Sequence, residues 1–147
     1  MITYRNKFLK CDPIINVVGY ILILRLNEDK RIKVGSLGEV SFKKGYYMYV
    51  GSAKNSIKRI ERHFKSKKRL RWHIDYLSTN SEVLDAMLFH IEECELANTL
   101  SKHFEKIKNF GCSDCKCYSH LFYSTNNPVN KLKGLFKELT SFTSRRM

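Results

Sequence analysis

The sequence predicts a single domain of the α+β class, or α/β-like, with a small central sheet flanked by helices. The chain has 147 residues, a length that suits one hydrophobic core. Apolar, β-branched segments are interspersed with segments whose apolar residues recur every three or four positions. No internal repeat and no linker divides the chain, so we expect residues 1–147 to form one domain.

Five segments have the composition of strands. The apolar, β-branched stretch 15–26 predicts a central strand, and the tyrosine-rich stretch 46–51 predicts another. Between them, residues 31–42 alternate apolar and polar side chains around two glycines, which predicts two short strands joined by a tight turn. Residues 82–91 fit a strand or a helix, and we favour a strand. Residues 121–125 predict a short edge strand.

Helical periodicity is found in four segments. Residues 56–68, 71–77 and 93–107 predict three helices. Asn127-Pro128 opens a last basic amphipathic helix, which we assign to residues 127–147. The polar and basic residues 1–14 are interpreted as an N-terminal arm.

The net charge points to an anionic partner. The chain carries 27 Lys and Arg against 14 Asp and Glu, for a net charge of +13. Such an excess does not specify a fold. It indicates the partner instead, and favours nucleic acid first and an anionic membrane surface second.

Cysteine use and hydropathy predict a cytoplasmic, reducing compartment. The sequence has no run of about 18 apolar residues, and its N-terminus lacks the apolar segment of a signal peptide. The five cysteines are therefore expected to be thiols or metal ligands instead of disulfides.

A tyrosine-rich strand leads directly into small residues and then into a basic helix. Tyr47 and Tyr49 share one face of that strand, and Gly51 would let a second backbone or a phosphate approach closely. Arg59 and His63 are four residues apart and share a helical face. Arginine suits bidentate phosphate binding and histidine can shuttle protons. A solvated basic face would explain the same pair.

Five sequence blocks together resemble one family. They are "YMYVGSA" (47–53), "RIERH" (59–63), "WHIDYL" (72–77), "ECELA" (93–97) and "FGCSDCKCYSHL" (110–121). Their order and spacing resemble the GIY-YIG endonuclease superfamily. The likeness is greatest to its branch of small domains that occur alone or fused to endonuclease-III-type glycosylases, mainly in archaea. The resemblance covers residues 16–125, which we take as the core of the domain.

The resemblance implies phosphodiester hydrolysis by four side chains. Tyr20 matches the tyrosine of "Gly-Ile-Tyr", Tyr49 matches that of "Tyr-Ile-Gly", and Arg59 and His63 match the helix motif. Arg59 would hold the phosphate, the two tyrosines would orient and deprotonate water, and His63 would accept the proton or hydrogen-bond to a tyrosine. A free phenol has a pKa of about 10, so we expect the nearby positive charge to lower it.

The resemblance also implies one divalent cation, Mg²⁺ or Mn²⁺. The superfamily's metal-binding glutamate matches Glu93 best, with Glu92 and Glu95 as alternatives. A carboxylate is a hard oxygen ligand, which these ions prefer, and they keep most of their waters.

The sequence departs from the family pattern in three places. Val18 stands where the first motif has its glycine, and Gly19 directly precedes Tyr20. The segment 27–44 is longer than usual, which predicts an inserted β-hairpin, while the family implies a mixed sheet. The late asparagine has no counterpart, and the loop 114–120 is the candidate to replace it.

Basic residues near the motifs are candidate nucleic-acid contacts. They are Lys54, Lys58, Arg62, Arg71 and His73.

A compact group of cysteines and a histidine is the candidate zinc site. It contains Cys112, Cys115, Cys117 and His120, with Asp114 as a second carboxylate or a turn residue. The branch shares three of these four ligands, Cys115, Cys117 and His120, and three ligands fit a closed structural site poorly. A loop below the active site is therefore favoured over zinc.

The sequence thus predicts a metal-dependent endonuclease that cuts DNA. We expect it to act in repair or in the processing of branched, damaged or single-stranded DNA, with a repair protein as a candidate partner and no membrane partner. Two alternatives stay open. One is a non-catalytic nucleic-acid-binding module with a nuclease fold, and the other is a zinc-stabilised interaction domain.

Overall fold

A computed structural model of the chain describes residues 2–3, 17–53, 58–108, 110 and 119–136. Their fold is α+β, which confirms the predicted class. The strands in these ranges are β1 (Ile2–Thr3), β2 (Gly19–Leu26), β3 (Lys30–Lys33), β4 (Glu39–Phe42), β5 (Gly45–Ser52), β6 (Glu82–Phe89), β7 (Glu105–Lys106) and β8 (Leu121–Ser124). The helices are α1 (Lys58–His63), α2 (His73–Ser78), α3 (Glu93–Ser101) and α4 (Val129–Leu135).

The main sheet has six strands in the order β1-β6-β2-β5-β8-β7. Each of its described pairings is antiparallel, so the expectation of a mixed sheet is corrected. The reason is the position of β2. β5 and β6 run in the same direction, but β2 lies between them and is antiparallel to both.

The inserted hairpin is present as a separate two-stranded sheet. β3 pairs with β4 in antiparallel register, and a 3₁₀ turn at Gly35–Leu37 connects them. Gly35 and Gly38 have φ values of 44° and 74° there. Glycine adopts this left-handed region without the steric penalty that a Cβ imposes, which explains the glycines at this turn.

Both faces of the main sheet are covered. Side chains of β2 alternate between the faces, with Tyr20, Leu22 and Leu24 on one side and Ile21 and Ile23 on the other. The first side packs against the hairpin, α1 and α2. The second side packs against α3 and α4. The apolar run of β2 follows from this double burial, since residues 19–24 are buried whichever face they point to, while Arg25 near the end of the strand is exposed.

Some predicted boundaries are corrected. The helix expected over 93–107 ends at Ser101, because the chain turns at 102–104 and residues 105–106 pair with β8. Since β7 covers one side of β8 and β5 the other, β8 is not the edge strand that was expected.

Two further expectations fall partly on residues that the structure leaves undescribed. The expected arm lies outside the described residues except for β1, as does the last helix beyond residue 136. No helix within the described ranges is long and apolar enough to cross a membrane.

Candidate active site

Four strands place side chains at one end of the main sheet. β2 and β8 begin at this end, and β5 and β6 finish there. Tyr20 lies opposite Gly51, and Gly19 lies opposite Phe89. The candidate residues are far apart in the sequence, and the antiparallel register is what brings them together.

Tyr20, Tyr49 and His63 form the centre of this site. The Tyr20 hydroxyl is 2.7 Å from His63 Nε2 in a buried hydrogen bond. The Tyr20 ring centroid is 6.4 Å from that of Tyr49 and 5.5 Å from that of His63. The Tyr49 and His63 rings complete the triangle at 5.9 Å. Three predicted catalytic side chains are therefore in mutual contact.

Gly51 makes room for the phenol of Tyr20. A Cβ at Gly51 would collide with the hydroxyl and the ring of Tyr20. The sequence suggested that this glycine admits a second backbone or a phosphate. The structure corrects this, because the space is filled by a tyrosine from the paired strand.

Gly19 performs a similar function for α3. A Cβ at Gly19 would collide with the carbonyl oxygen of Ile91 and would lie 2.8 Å from Leu96 Cδ1. Its absence lets the start of α3 pack closely against β2. Glu93, the first residue of α3, is thereby placed beside Tyr20. This accounts for the glycine directly before Tyr20. In the family pattern the glycine stands two residues before the tyrosine.

Glu93 pairs with a histidine that precedes β8. Its Oε2 is 3.6 Å from His120 Nδ1, and the glutamate side chain is 34% exposed while the imidazole is 3% exposed. Burial lowers the pKa of His120, while the Glu93 charge opposes that shift. Glu92 and Glu95 are more exposed, and among the three glutamates it is Glu93 whose charge acts on Tyr20.

Burial dominates the protonation of the two central groups. Desolvation raises the pKa of Tyr20 well above its ordinary value, and Tyr49 and Glu93 add to the shift while Arg59 opposes it. Desolvation also lowers the pKa of His63 to about 3, and Lys68 adds to that shift. The positive charge of Arg59 does lower the pKa of Tyr20, as the sequence suggested, but the effect of burial outweighs it. The pair is a phenol and a neutral imidazole at neutral pH.

Arg59 is fixed from two sides. Its Nη1 donates to the carbonyl oxygen of Ser52 at 3.2 Å, and its guanidinium lies 5.3 Å from the centre of the Trp72 ring. The Coulombic effect of Arg59 on both Tyr20 and His63 shows that its charge reaches the centre of the site. A fixed, half-buried guanidinium at this place can bind an anion without first losing rotamer freedom.

Arg62, one of the predicted nucleic-acid contacts, pairs with a buried carboxylate. Its Nη2 lies 2.6 Å from Oδ2 of Asp75, whose side chain is fully buried. The same oxygen accepts the backbone N–H groups of Arg71 and Trp72 at 2.8 and 2.9 Å. The sequence carried a signal for Asp75, since an acid three residues into a helix commonly reaches back to the helix start.

The remaining predicted contacts divide into three groups. Lys58 and Arg71 are exposed near α1 and α2. His73 is half-buried against the Phe110 ring, at 5.6 Å between centroids, and burial lowers its pKa. The others lie outside the described residues, and they are Lys54, Cys112, Asp114, Cys115 and Cys117.

The described part of the site offers a metal few protein ligands. Within the described ranges, no group of three or more His, Cys, Asp or Glu side chains could hold a metal ion. Glu93 presents one hard oxygen ligand that solvent can reach. This donor set fits Mg²⁺ or Mn²⁺, which bind through one or two carboxylates and retain waters. The candidate zinc ligands Cys112, Cys115 and Cys117 lie outside the described residues.

Comparison with known proteins gives one match. Residues 19–141, which include nearly all of the described core, match the family model described as Domain of unknown function DUF123. No curated protein and no solved structure matches the chain.

Proposed function

The chain belongs to the DUF123 family, and we propose that it is a metal-dependent endonuclease that hydrolyses DNA phosphodiester bonds. One observation carries the proposal. Tyr20, Tyr49, Arg59, His63 and Glu93 are scattered over more than half of the sequence, yet they converge at one end of the sheet. These are the five positions that the resemblance to GIY-YIG endonucleases identifies, and packing alone does not require a glutamate whose charge acts on a buried phenol.

Arg59 binds the scissile phosphate in this proposal. Its guanidinium is already oriented by the Ser52 carbonyl and the Trp72 ring. A prepositioned cation stabilises the charge that develops on the phosphate oxygens, and it does so without reorganisation during the reaction.

The Tyr20–His63 pair orients the attacking water. Because Tyr20 keeps its proton at neutral pH and His63 is neutral, the pair acts through hydrogen bonds and not through a stored negative charge. Tyr49 is less buried than Tyr20, and in this proposal it would hydrogen-bond to the same water. The water oxygen bonds to phosphorus and the bond to the leaving oxygen breaks, while the proton that the water loses goes to solvent and the leaving oxygen takes a proton from solvent.

Glu93 would hold the divalent cation. When bound, that cation polarises the phosphate and neutralises charge on the leaving oxygen. His120 lies against the carboxylate and fixes its orientation, as neighbouring side chains commonly do for metal-binding groups.

The test is a cleavage assay with labelled single-stranded, duplex and branched DNA in Mg²⁺, in Mn²⁺ and in EDTA. We expect metal-dependent cutting that is lost in Glu93→Gln and in Arg59→Ala. Glu95→Gln is the matched control, because it removes an exposed carboxylate from the same helix, and it should cut normally. Tight binding with no cutting in either metal would contradict the proposed reaction.

A DNA-binding module without catalysis is the second candidate. The observation that favours it is the protonation of Tyr20, since a buried, protonated phenol is a poor base. Both candidates need the basic surface, so DNA affinity should fall on the order of a thousandfold between about 50 and 200 mM salt if about six phosphates are contacted. A salt-independent affinity would contradict both candidates, and metal-dependent cutting separates them.

A further inference from the structure

The segment between α1 and α2, residues 64–72, is here termed the basic loop. It contains five cations and no carboxylate. At its tip lies Leu70, which is 44% exposed and is the exposed large hydrophobic residue of the described part of the chain. Arg69 and Arg71 flank it, and both are exposed.

The basic loop is braced by hydrogen bonds on both sides of Leu70. Asp75 accepts the backbone N–H of Arg71, and Arg62 donates to the carbonyl oxygen of Arg69. Lys68 Nζ donates to the carbonyl oxygen of Arg62 at 2.9 Å. Because its two neighbours are fixed through their backbones, Leu70 is presented at a defined place on the surface.

The same bonds join the basic loop to the candidate active site. Lys68 Nζ also reaches the carbonyl oxygen of His63, at 3.4 Å. At the other end of the loop, the Trp72 ring contacts the guanidiniums of both Arg59 and Arg62, at 5.3 and 4.9 Å from its centroid. A strand of nucleic acid bound at Arg59 would therefore run beside the basic loop.

An apolar tip between two arginines suits a particular partner. The arginines attract phosphates without regard to sequence. A leucine gains nothing from phosphates, but apolar side chains of this kind insert between base steps and partly unstack them. Unstacking costs least where a base is already mismatched, damaged or unpaired.

We propose that Leu70 is a wedge that enters an interrupted base stack, so that the basic loop selects DNA with a nick, mismatch or branch over intact duplex. The proposal deepens the nuclease function above and rests on it for the choice of DNA as partner. Leu70 contributes selectivity, while the surrounding cations contribute affinity for DNA in general.

The test measures binding in EDTA, so that no cutting occurs, to duplexes with a nick or a branch and to the matched intact duplex. A 2-aminopurine base next to the interruption reports unstacking by its fluorescence. In the unmodified protein we expect a preference for the interrupted duplex and a rise in fluorescence. Leu70→Ala and Leu70→Gln should reduce the preference about tenfold, because burying a leucine side chain between bases contributes at least about this much.

Two variants serve as matched controls. Leu70→Met keeps an apolar side chain of similar volume and should retain the preference. Lys67→Ala removes an exposed cation from the same loop, and it should weaken binding to all the duplexes equally and reduce the salt dependence. Circular dichroism melting curves check that each variant is folded.

The outcomes separate this inference from the nuclease proposal. Selective binding that depends on Leu70, without cutting in any metal, would support the wedge and contradict the nuclease proposal. Cutting with the same preference in Leu70→Ala as in the unmodified protein would overturn the wedge alone. The wedge is also overturned if Leu70→Ala loses affinity for vesicles of anionic lipid but binds interrupted DNA as the unmodified protein does.

Discussion

On one face of the main sheet, α3 and α4 cover a cluster whose described members are all apolar, among them Ile21, Met48 and Leu100. The opposite face, under the hairpin, α1 and α2, is built around apolar residues as well, but its helices also bury His63 and Asp75. Tyr20 and Tyr47 point into this second face from the strands. The two faces are similarly buried and differ in chemistry.

The difference separates residues that hold the fold from residues that need another explanation. Burying a polar group costs free energy unless it is hydrogen-bonded. Within the described part of the chain, His63 Nδ1 and Asp75 Oδ1 are buried atoms without a hydrogen-bond partner. The apolar face carries no such cost among its described residues. A fold that retains this cost on one face alone is consistent with a function at that face.

Removing one hydroxyl from the polar face should give the largest effect. Tyr20→Phe keeps the ring over Gly51 but deletes the hydrogen bond to His63. If the pair orients the attacking water, cleavage should fall by about 10²- to 10⁴-fold, the usual range for a positioned acid–base group. The free energy of unfolding in urea should fall by about 1–3 kcal/mol, because the buried His63 Nε2 is left without its partner.

The matched control for Tyr20 is Tyr47, on the same face of the sheet. Tyr47 is also buried, and its hydroxyl donates to the Lys43 carbonyl oxygen at 2.7 Å. Tyr47→Phe should lose similar stability and cut DNA normally. Equal cleavage rates for the two variants would remove the special role of the Tyr20 hydroxyl.

The next comparison uses one alanine substitution on each face of the sheet. Asp75→Ala leaves Arg62 unpaired beside the core, and removing one partner of a buried ion pair typically costs about 3–5 kcal/mol. Leu100→Ala on the apolar face should cost about 2–5 kcal/mol through lost burial and a cavity. Urea unfolding measures both values.

DNA binding distinguishes these two variants even where their stabilities are equal. Asp75→Ala removes the bonds by which Asp75 holds Arg62 and the backbone of Arg71, so it should weaken selective DNA binding under conditions where the protein is still folded. Leu100→Ala should bind normally under the same conditions. Equal binding by both variants would mean that Asp75 stabilises the fold without positioning the loop.

The sequence was a good guide to elements whose pattern is local. The β-branched run of β2 and the alternation of the hairpin strands gave their types, because those patterns report burial directly. The convergence of Tyr20, Tyr49 and Glu93 followed only from the family resemblance. Nothing local in the sequence states which strands pair or in what register.

The parts that the sequence did not predict depend on tertiary contacts. Arg62 resembles any other cation of its basic helix, and only the packing of α2 against α1 shows that Asp75 binds it. Likewise, positive charge near Tyr20 suggested a lowered phenol pKa, but the degree of burial decides the direction. Burial of an individual side chain depends on the whole fold and not on its neighbours in sequence.

A last effect is a dependence of stability on pH that arises at His63. The pKa of this imidazole is about 3 in the folded chain, against an ordinary value of 6.5. Below about pH 6.5 the unfolded chain therefore binds a proton that the folded chain does not. The contribution of His63 to the free energy of unfolding is therefore most favourable above pH 6.5. As the pH falls from 6.5 towards 3, the free energy of unfolding decreases by about 1.4 kcal/mol per pH unit.

Urea unfolding of His63→Gln between pH 7 and pH 4 isolates this contribution, since glutamine keeps a polar group near Tyr20 but does not titrate. Other groups titrate in both proteins, so the difference between the two curves is the informative quantity. The unmodified protein should lose stability more steeply below about pH 6.5 than His63→Gln does. His103→Gln, at an exposed position, should follow the unmodified protein. Parallel curves for His63→Gln and the unmodified protein would mean that the imidazole takes up its proton in the folded state, and the polar face would then tolerate a charge at its centre.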